Sequence, residues 1–191
     1  MRKVLAGLIL LSLWQISIGA DTQASIDAIV THLSPPDYSP QPFVERRQNK
    51  LLAEPMVLEG EVTFFEDGTF SKVILTPFSE RILVTNKFLE LERNGKKRRV
   101  SLRRDHGARA LYVGLRAFLE QDLDTLLTLF EVVAIDPADP WRIELVPVAD
   151  DAKRFVAKMI ITGSGPNVTS IRTIQTENNW QEMLFGFGER P

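Results

Sequence analysis

The segment from Glu54 to Leu102 constrains the fold of this chain more than any other stretch, because its apolar and polar residues alternate. In its first part the apolar residues fall at even spacing, namely Met56, Leu58, Val62 and Phe64. Side chains two residues apart lie on the same face of a β-strand. The pattern predicts a strand with one apolar face, and turn signals every seven to twelve residues divide the remainder into further strands.

Two dipeptides in this segment predict tight hairpins. Asp67-Gly68 and Asn94-Gly95 each separate two strand-like runs. Both pairs can adopt the positive φ angles that short hairpin turns need. We therefore expect the strands of this segment to pair as an antiparallel meander with an apolar face that some other element must cover.

The first twenty residues have the organisation of a cleaved secretory signal peptide. Arg2 and Lys3 precede an apolar run, and the small residues of Ser17 to Ala20 follow it. A cationic start, an apolar core of about 7–15 residues and a small-residue exit define such signals. We predict cleavage after Ala20, with residues 1–20 as the signal peptide, residues 21–191 as one domain and the periplasm as the location. A membrane span needs about 20 apolar residues, more than this run supplies.

The charge and cysteine content narrow the class of protein further. Without residues 1–20 the chain has 171 residues, of which 21 are basic and 25 acidic. Nucleic-acid affinity comes mostly from neutralising phosphates, so this mildly acidic chain is a poor candidate for binding nucleic acid. The chain has no cysteine, which excludes a disulfide framework and suits a bacterial periplasm better than a small eukaryotic secreted domain.

The rest of the chain reads as one helix before the meander, a helical pair after it, and then more strands. Asp21 to Ser34 predicts an amphipathic helix that Pro35-Pro36 ends, and Phe43 to Gln48 enters the sheet. Apolar residues between 111 and 130 recur at helical spacing, with a break at Gln121-Asp122 where Asp122 could cap a second helix. Predicted strands cover 130–135, 141–147, 155–162, 168–176 and 180–187, with a helical turn at 150–154 and a turn at 177–179.

This order of elements predicts an α+β fold. Antiparallel sheets of eight or more strands tend to curl. A closed up-and-down barrel needs no helical pair at the centre of the chain, whereas a curved, incomplete barrel leaves a concave side for helices to close. We therefore expect a half β-barrel with helices across its concave side.

Several short motifs, in their order along the chain, resemble one known family. These motifs are FVERR (43–47), LEGEVTF (58–64), FSK (70–72), TPFSER (76–81), DLD (122–124), FEV (130–132), WRIELVP (141–147) and IITG (160–163). Together they resemble LolA, the periplasmic outer-membrane lipoprotein carrier, and more closely its LolA-related relatives. The resemblance runs over nearly all of the chain after residue 20.

The resemblance implies a half-barrel that holds acyl chains in an apolar cavity, with no covalent chemistry and no cofactor. The sequence differs from the family at one point. Carriers that move lipoproteins usually have an arginine–proline pair just after the second strand of the meander, and its arginine holds the lid closed. This chain has Glu66-Asp67 there. A lipid cargo therefore remains an alternative to a lipoprotein cargo.

The candidate cavity residues are apolar side chains of the strands and of the helical pair. They are Met56, Leu58, Val62, Phe64, Ile74, Leu115, Phe118, Leu119, Trp141, Ile143 and Leu145. A filled core uses the same residue types as a ligand pocket, so each of these residues has both interpretations.

Beyond the cavity residues, the sequence offers one basic cluster and few residues that could act in catalysis. Lys96, Lys97, Arg98 and Arg99 could contact an anionic headgroup or an acidic partner, or form a solvated strand edge that discourages strand addition. Asp105-His106 is the strongest acid–imidazole pair, but a GxSxG motif is absent and a solvated loop explains it better. Two distant histidines without cysteine do not make a zinc site.

These observations predict a monomeric, non-catalytic carrier for a lipid or an acylated protein. An inner-membrane transporter would be the donor and an outer-membrane protein the acceptor. The alternative is an accessory protein that docks on an inner-membrane lipid or glycolipid exporter, with the apolar sheet face merely packed. A hydrolase that uses His106 is the weakest alternative.

Overall fold

The computed structural model describes residues 18–175 and 179–186. Its elements, in chain order, are α1 (Ile18–Val30), β1 (Gln41–Gln48), β2 (Met56–Phe64), β3 (Phe70–Thr76), β4 (Glu80–Val84), β5 (Phe88–Arg93), β6 (Lys96–Ser101), α2 (His106–Leu119), α3 (Leu123–Leu129), β7 (Phe130–Asp136), β8 (Trp141–Pro147), α4 (Asp150–Lys153), β9 (Val156–Ser164), β10 (Asn167–Gln175) and β11 (Trp180–Phe185). The predicted alternation of a helix, a meander, a helical pair and further strands is confirmed.

The strands of the described residues form one antiparallel sheet of 11 strands. Their order across the sheet is β6-β5-β4-β3-β2-β1-β11-β10-β9-β8-β7. The first and last strands of the chain, β1 and β11, pair at the centre, from Phe43 opposite Phe185 to Gln48 opposite Trp180. β6 and β7 are the two edges, so the sheet curves without closing into a barrel. The half-barrel prediction is therefore confirmed.

The strand faces follow the sequence pattern. In β2, Leu58, Gly60 and Val62 are buried whereas Glu59 and Glu61 are exposed. The hairpin turns also form where the sequence predicts them, since Gly68 and Gly95 adopt φ angles of 77° and 71°. A positive φ angle is readily accessible to glycine, so these residues fit the turns that reverse the chain.

The helical pair is capped by aspartates. Asp122 accepts a hydrogen bond from the backbone N–H of Thr125 at 3.0 Å and begins α3, as predicted. Asp105 accepts one from the N–H of Ala108 at 2.8 Å and begins α2. Such caps satisfy backbone donors that the first turn of a helix leaves without a partner.

The first helix differs from its predicted bounds of Asp21 to Ser34. It begins at Ile18, inside the predicted signal peptide, and ends at Val30. Just after its end, Thr31 Oγ1 donates to the Asp27 carbonyl at 2.6 Å and His32 Nδ1 lies 2.6 Å from the Ala28 carbonyl. These side chains occupy carbonyls of the last turn, and the prolines that follow prevent the helix from continuing.

Other predicted bounds shift by one or two residues, and some lie outside the described structure. β9 begins at Val156 instead of Phe155, because Phe155 is in an exposed turn, and it ends at Ser164 instead of Thr162. Residues 1–17, most of the predicted signal peptide, are outside the described residues, as are most of the predicted 177–179 turn and the end of the last strand at 187. None of the described helices is long and apolar enough to span a membrane.

Buried residues divide into two clusters along the sheet. The helix-side core consists of Ile26, Ile29, Val30, Leu33, Ala110, Leu115, Ala117, Phe118, Leu126, Phe130, Trp141, Ile143, Leu145, Ala152, Met159, Ile161 and Ile171. The meander-side core consists of Phe43, Leu58, Val62, Phe70, Ile74, Ile82, Val84, Leu102 and Met183. The four helices pack mainly on β7 to β10, so the inner face of β1 to β6 is covered less completely.

Candidate functional site: an apolar pocket between two cores

A pocket of about 200 Å³ lies where the helix-side core meets the meander-side core. Its apolar wall comes from β2 and β3 (Val62, Phe64, Phe70), α2 (Leu115, Leu119), and β10 and β11 (Ile171, Met183, Phe185). The segment from Leu33 to Asp37 and the turn at Pro166 also border it. Side chains of both cores thus face one space that neither core fills.

The aromatic side of this pocket is built by neighbouring strands. Phe64 and Phe70 are directly opposite each other in the β2–β3 pair, and their ring centroids lie 5.0 Å apart. The ring of Phe70 is 6.0 Å from that of Tyr112 on α2. Because tilted ring pairs at these distances attract each other, they hold the wall in a defined shape.

The covering helix α2 also contacts the tip of the β2–β3 hairpin. The Arg116 guanidinium packs closely against Gly68, so it would have to move to admit a side chain at position 68. Arg116 Nε donates to Glu120 Oε2 at 2.9 Å on the same helix. The Thr69 backbone N–H and then its hydroxyl hold the pKa of Asp67 below its usual value, with a smaller contribution from Arg116. Arg116 of α2 thus lies against the hairpin tip that carries Asp67.

A charged cluster lies on the inner face of the sheet next to the pocket. Glu45 on β1 and Lys72 on β3 form an ion pair, and their exposed fractions are 0% and 4%. Arg47 Nη2 binds the other carboxylate oxygen of Glu45 at 2.7 Å. Burial lowers the pKa of Lys72, and the charge of Glu45 acts in the opposite direction.

A second, more polar pocket of about 420 Å³ lies on the other side of this cluster. It is lined by Arg47, Gln48, Asn49, Glu80, Ile82, Leu89, Leu91, Tyr112, Gln175, Asn179, Trp180 and Gln181. Burial raises the pKa of Tyr112 to about 12, with the negative charge of Glu45 as the next contribution. The concave face therefore has an apolar end and a polar end.

The structure brings four of the eleven predicted cavity residues to the apolar pocket. Val62, Phe64, Leu115 and Leu119 line it. Phe118, Trp141, Ile143 and Leu145 are buried in the helix-side core, while Leu58 and Ile74 are buried in the meander-side core and Met56 packs against that core. These seven side chains contact the protein's own side chains, and a role in ligand binding stays a prediction for all eleven.

Sequence reasoning missed other lining residues. Phe70, Ile171, Met183 and Phe185 lie on the same inner face as residues that were predicted. Extending the two-residue period along β3, β10 and β11 could have found them. In the proline-rich segment after α1, no signal in the composition indicates that Pro35 and Pro36 border the pocket.

The predicted basic cluster is divided between the two faces of the edge strand. Lys97 lies 3.4 Å from Glu90, and Arg99 lies 2.7 Å from the same carboxylate and over the ring of Phe88. The bond from Arg99 is the main cause that lowers the pKa of Glu90. Lys96 and Arg98 are exposed on the opposite face, across from Arg93 and Leu91. Headgroup or partner binding by these four residues stays a prediction.

Two aspartate side chains bind nearby backbone N–H groups. Asp105 caps α2, as described above, and Asp136 accepts a hydrogen bond from the N–H of Ala138 at 3.0 Å. Within the described residues, no group of three or more histidine, cysteine, aspartate or glutamate side chains could hold a metal ion. What the pocket offers is an apolar surface that can bury an apolar group.

Comparison with known proteins identifies a family. Residues 19–189 match the family model described as "Outer membrane lipoprotein carrier protein LolA-like". No curated protein sequence matches the chain.

Three solved structures are similar to this one. A LolA superfamily protein from Nitrosomonas europaea is 9% identical, with 88% of this chain and 94% of that chain covered and a TM-score of 0.45. LprF from Mycobacterium bovis is 11% identical, with 88% and 94% covered and a TM-score of 0.34. A putative outer membrane lipoprotein-sorting protein domain from Vibrio parahaemolyticus is 9% identical, with 89% and 93% covered and a TM-score of 0.42.

Proposed function

Because the chain belongs to the LolA-like family of outer membrane lipoprotein carriers, we propose that it carries a lipid or lipid-modified protein through the periplasm. The hydrocarbon tail of the cargo would lie in the apolar pocket, and no covalent step is needed. An inner-membrane transporter would supply the cargo, and an outer-membrane acceptor with a competing apolar surface would remove it.

The observation that supports this proposal most is the pocket between the two cores. Transferring an acyl chain into water exposes its methylenes at about 0.8 kcal/mol each, so a tail of some 16 carbons costs on the order of 12 kcal/mol. The pocket offers Val62, Phe64, Phe70, Leu119 and Phe185 as an apolar wall that replaces water around such a tail. Binding would be driven by this burial.

The volume of the pocket limits what it holds at rest. About 200 Å³ corresponds to roughly seven groups of the size of a water molecule, which is less than a long acyl chain occupies. A longer tail therefore requires the covering residues to move away from the sheet. The residues that cover the pocket are Leu115 and Leu119 of α2 and the segment from Leu33 to Asp37.

A fluorescent fatty-acid probe tests the proposal. The lipid-free protein should bind the probe, and Leu119→Glu should weaken binding at least about tenfold, because a hydrocarbon tail would bury the new charge away from water. Leu119 is half-buried, so the variant should remain folded. Val133→Glu is a matched control on β7, where Val133 is 47% exposed and away from the pocket.

The results separate the interpretations. Probe binding that is lost in Leu119→Glu and kept in Val133→Glu supports a carrier. A parent protein that takes up no probe, or a Leu119→Glu variant that binds like the parent, contradicts it. Thermal unfolding followed by circular dichroism confirms that both variants are folded.

A second function, docking on an inner-membrane exporter, is favoured by one observation. Lys96 and Arg98 are exposed on the edge strand and lack the acidic partners that Lys97 and Arg99 have among the described residues. Reversing the charge of Lys96 and Arg98 together should then abolish co-sedimentation with inner-membrane vesicles, while probe binding stays unchanged. Equal sedimentation of the parent and the variant excludes docking through this edge.

A further inference from the structure

The ion pair between Glu45 and Lys72 occupies an unusual place on the inner face of the sheet. Glu45 is on β1 and Lys72 on β3, and they meet across β2. Lys72 Nζ also lies 3.5 Å from Met183 Sδ and 5.0 Å from the centroid of the Phe43 ring. Lys72 therefore contacts apolar side chains of the meander-side core, while Arg47 binds Glu45.

The pair lies between the two pockets along the strand direction. On β1, Gln41 lines the apolar pocket and Arg47 lines the polar pocket, and Glu45 lies between them. Lys72 on β3 pairs with Val62, which lines the apolar pocket, and with Ile82, which lines the polar pocket. The charged pair separates the apolar end of the concave face from its polar end.

A hydrocarbon tail cannot pass this point without a cost. Because the pair is buried and spans the inner face from β1 to β3, the tail would have to separate the two charges to continue along the sheet. A buried charge without its partner is strongly unfavourable, and methylenes offer it no hydrogen bond. The tail is expected to stop at the pair.

We propose that Glu45 and Lys72 form a partition that limits how long a hydrocarbon tail the apolar pocket accepts. This inference rests on the proposed carrier function, and it defines the cargo as one whose tail ends at the partition. Arg47 supports the partition from the polar side by holding the second carboxylate oxygen of Glu45.

A chain-length series measures the limit. Saturated fatty acids from about eight to about eighteen carbons compete with the fluorescent probe, and each methylene that becomes buried should tighten binding about fourfold. In the parent protein the affinity should rise with length and then become constant. The length at which it becomes constant marks the partition.

The double variant Glu45→Met with Lys72→Met removes the partition. Both charges leave together, and methionine side chains are flexible enough to fill the space or move aside. The affinity should then keep rising to tails several methylenes longer before it becomes constant. Each of these additional methylenes should tighten binding about fourfold. The matched control is Glu144→Met with Lys158→Met, which removes an ion pair of 2.5 Å from the outer face of β8 and β9 and should leave the limit unchanged.

Met183→Ala gives a second test that keeps the charges. Met183 lines the pocket next to Lys72, so its truncation makes room on the apolar side of the partition. The limit should move to slightly longer tails, by less than in the double methionine variant. This variant keeps the inference testable if the double variant does not fold.

The outcomes separate the two proposals. A limit that moves in the double variant and in Met183→Ala, but not in the outer-face control, supports the partition. A limit at the same length in every variant, or an affinity that keeps rising in the parent through the longest tail, overturns the partition while the carrier function stands. Failure of every fatty acid to bind overturns the carrier function and the partition with it.

Discussion

The two halves of the sheet differ in how their inner faces are covered. The helix-side core is apolar, and four helices cover it, so that Phe118, Ile143 and Leu145 have no exposed surface. The meander-side core contains the buried charged residues of the described structure, Glu45, Lys72 and Glu80. The core of the first half is apolar, whereas the second half buries charges.

This difference assigns different tasks to the two halves. A filled apolar core stabilises the fold but has no space for a guest. The inner face of the meander side is only partly covered. Its half-buried residues Phe64 and Phe185 leave apolar surface that a ligand can cover. We interpret the interior of the helix-side half as the scaffold. The wall that a tail contacts consists of the meander-side half together with Leu115, Leu119 and Ile171 of the helix-side half.

The largest expected effect distinguishes the scaffold from the wall. Phe118→Ala should lower the free energy of unfolding by about 3–5 kcal/mol, because a fully buried aromatic ring leaves a cavity. Phe64→Ala, on the half-buried pocket wall, should cost clearly less and should weaken probe binding. Urea unfolding followed by circular dichroism measures both costs. Equal costs for the two variants would contradict the division of tasks.

The next effect concerns the charged pair. Lys72→Met alone should destabilise the protein by roughly 3 kcal/mol, near the lower end for a broken buried pair, because Arg47 still binds Glu45. Adding Glu45→Met should restore most of this loss, since both charges of the fully buried pair are then gone and the Arg47 side chain, 29% exposed, still reaches water. Denaturant unfolding of the single and double variants measures the coupling. A double variant less stable than Lys72→Met would show that the pair itself stabilises the fold.

A smaller effect should appear at alkaline pH. The pKa of Tyr112 is raised from 10.0 to about 12 by burial, so the unfolded chain loses this proton at lower pH than the folded protein. The stability that Tyr112 contributes is full below pH 10 and is lost as the pH rises through about 12, which amounts to about 2 kcal/mol. Tyr112→Phe should lose less stability over this range, as measured by urea unfolding at several pH values. Identical stability–pH profiles for the parent and Tyr112→Phe would show that the Tyr112 hydroxyl is in contact with water.

Much of the fold was predictable because local rules and tertiary structure agree. The two-residue alternation of β2, the Asn94-Gly95 turn and the Asp122 cap each act through a few neighbouring residues. The end of α1 was less predictable, because it depends on Thr31 and His32 binding its last carbonyls.

The pocket was only partly predictable. Alternation shows which face of a strand is apolar, but whether that face is filled depends on where α2 crosses the sheet. Leu58 and Val62 share one face of β2, yet only Val62 lines the apolar pocket. The charged pair did leave a signal, because Glu45 lies two residues from Phe43 and Lys72 lies two residues from Phe70 and Ile74. A charged residue at an inward position of a strand is rare, and it indicates a partner of opposite charge.

Photo-crosslinking tests the central claim, that a tail lies between the two cores. A fatty acid with a diazirine at the end of its tail would be bound and irradiated, and the modified peptides would be mapped by mass spectrometry. The account predicts adducts on pocket-wall residues such as Val62, Phe70 and Met183. Adducts confined to exposed apolar residues such as Val57 and Leu75, on the outer face of the sheet, would contradict it.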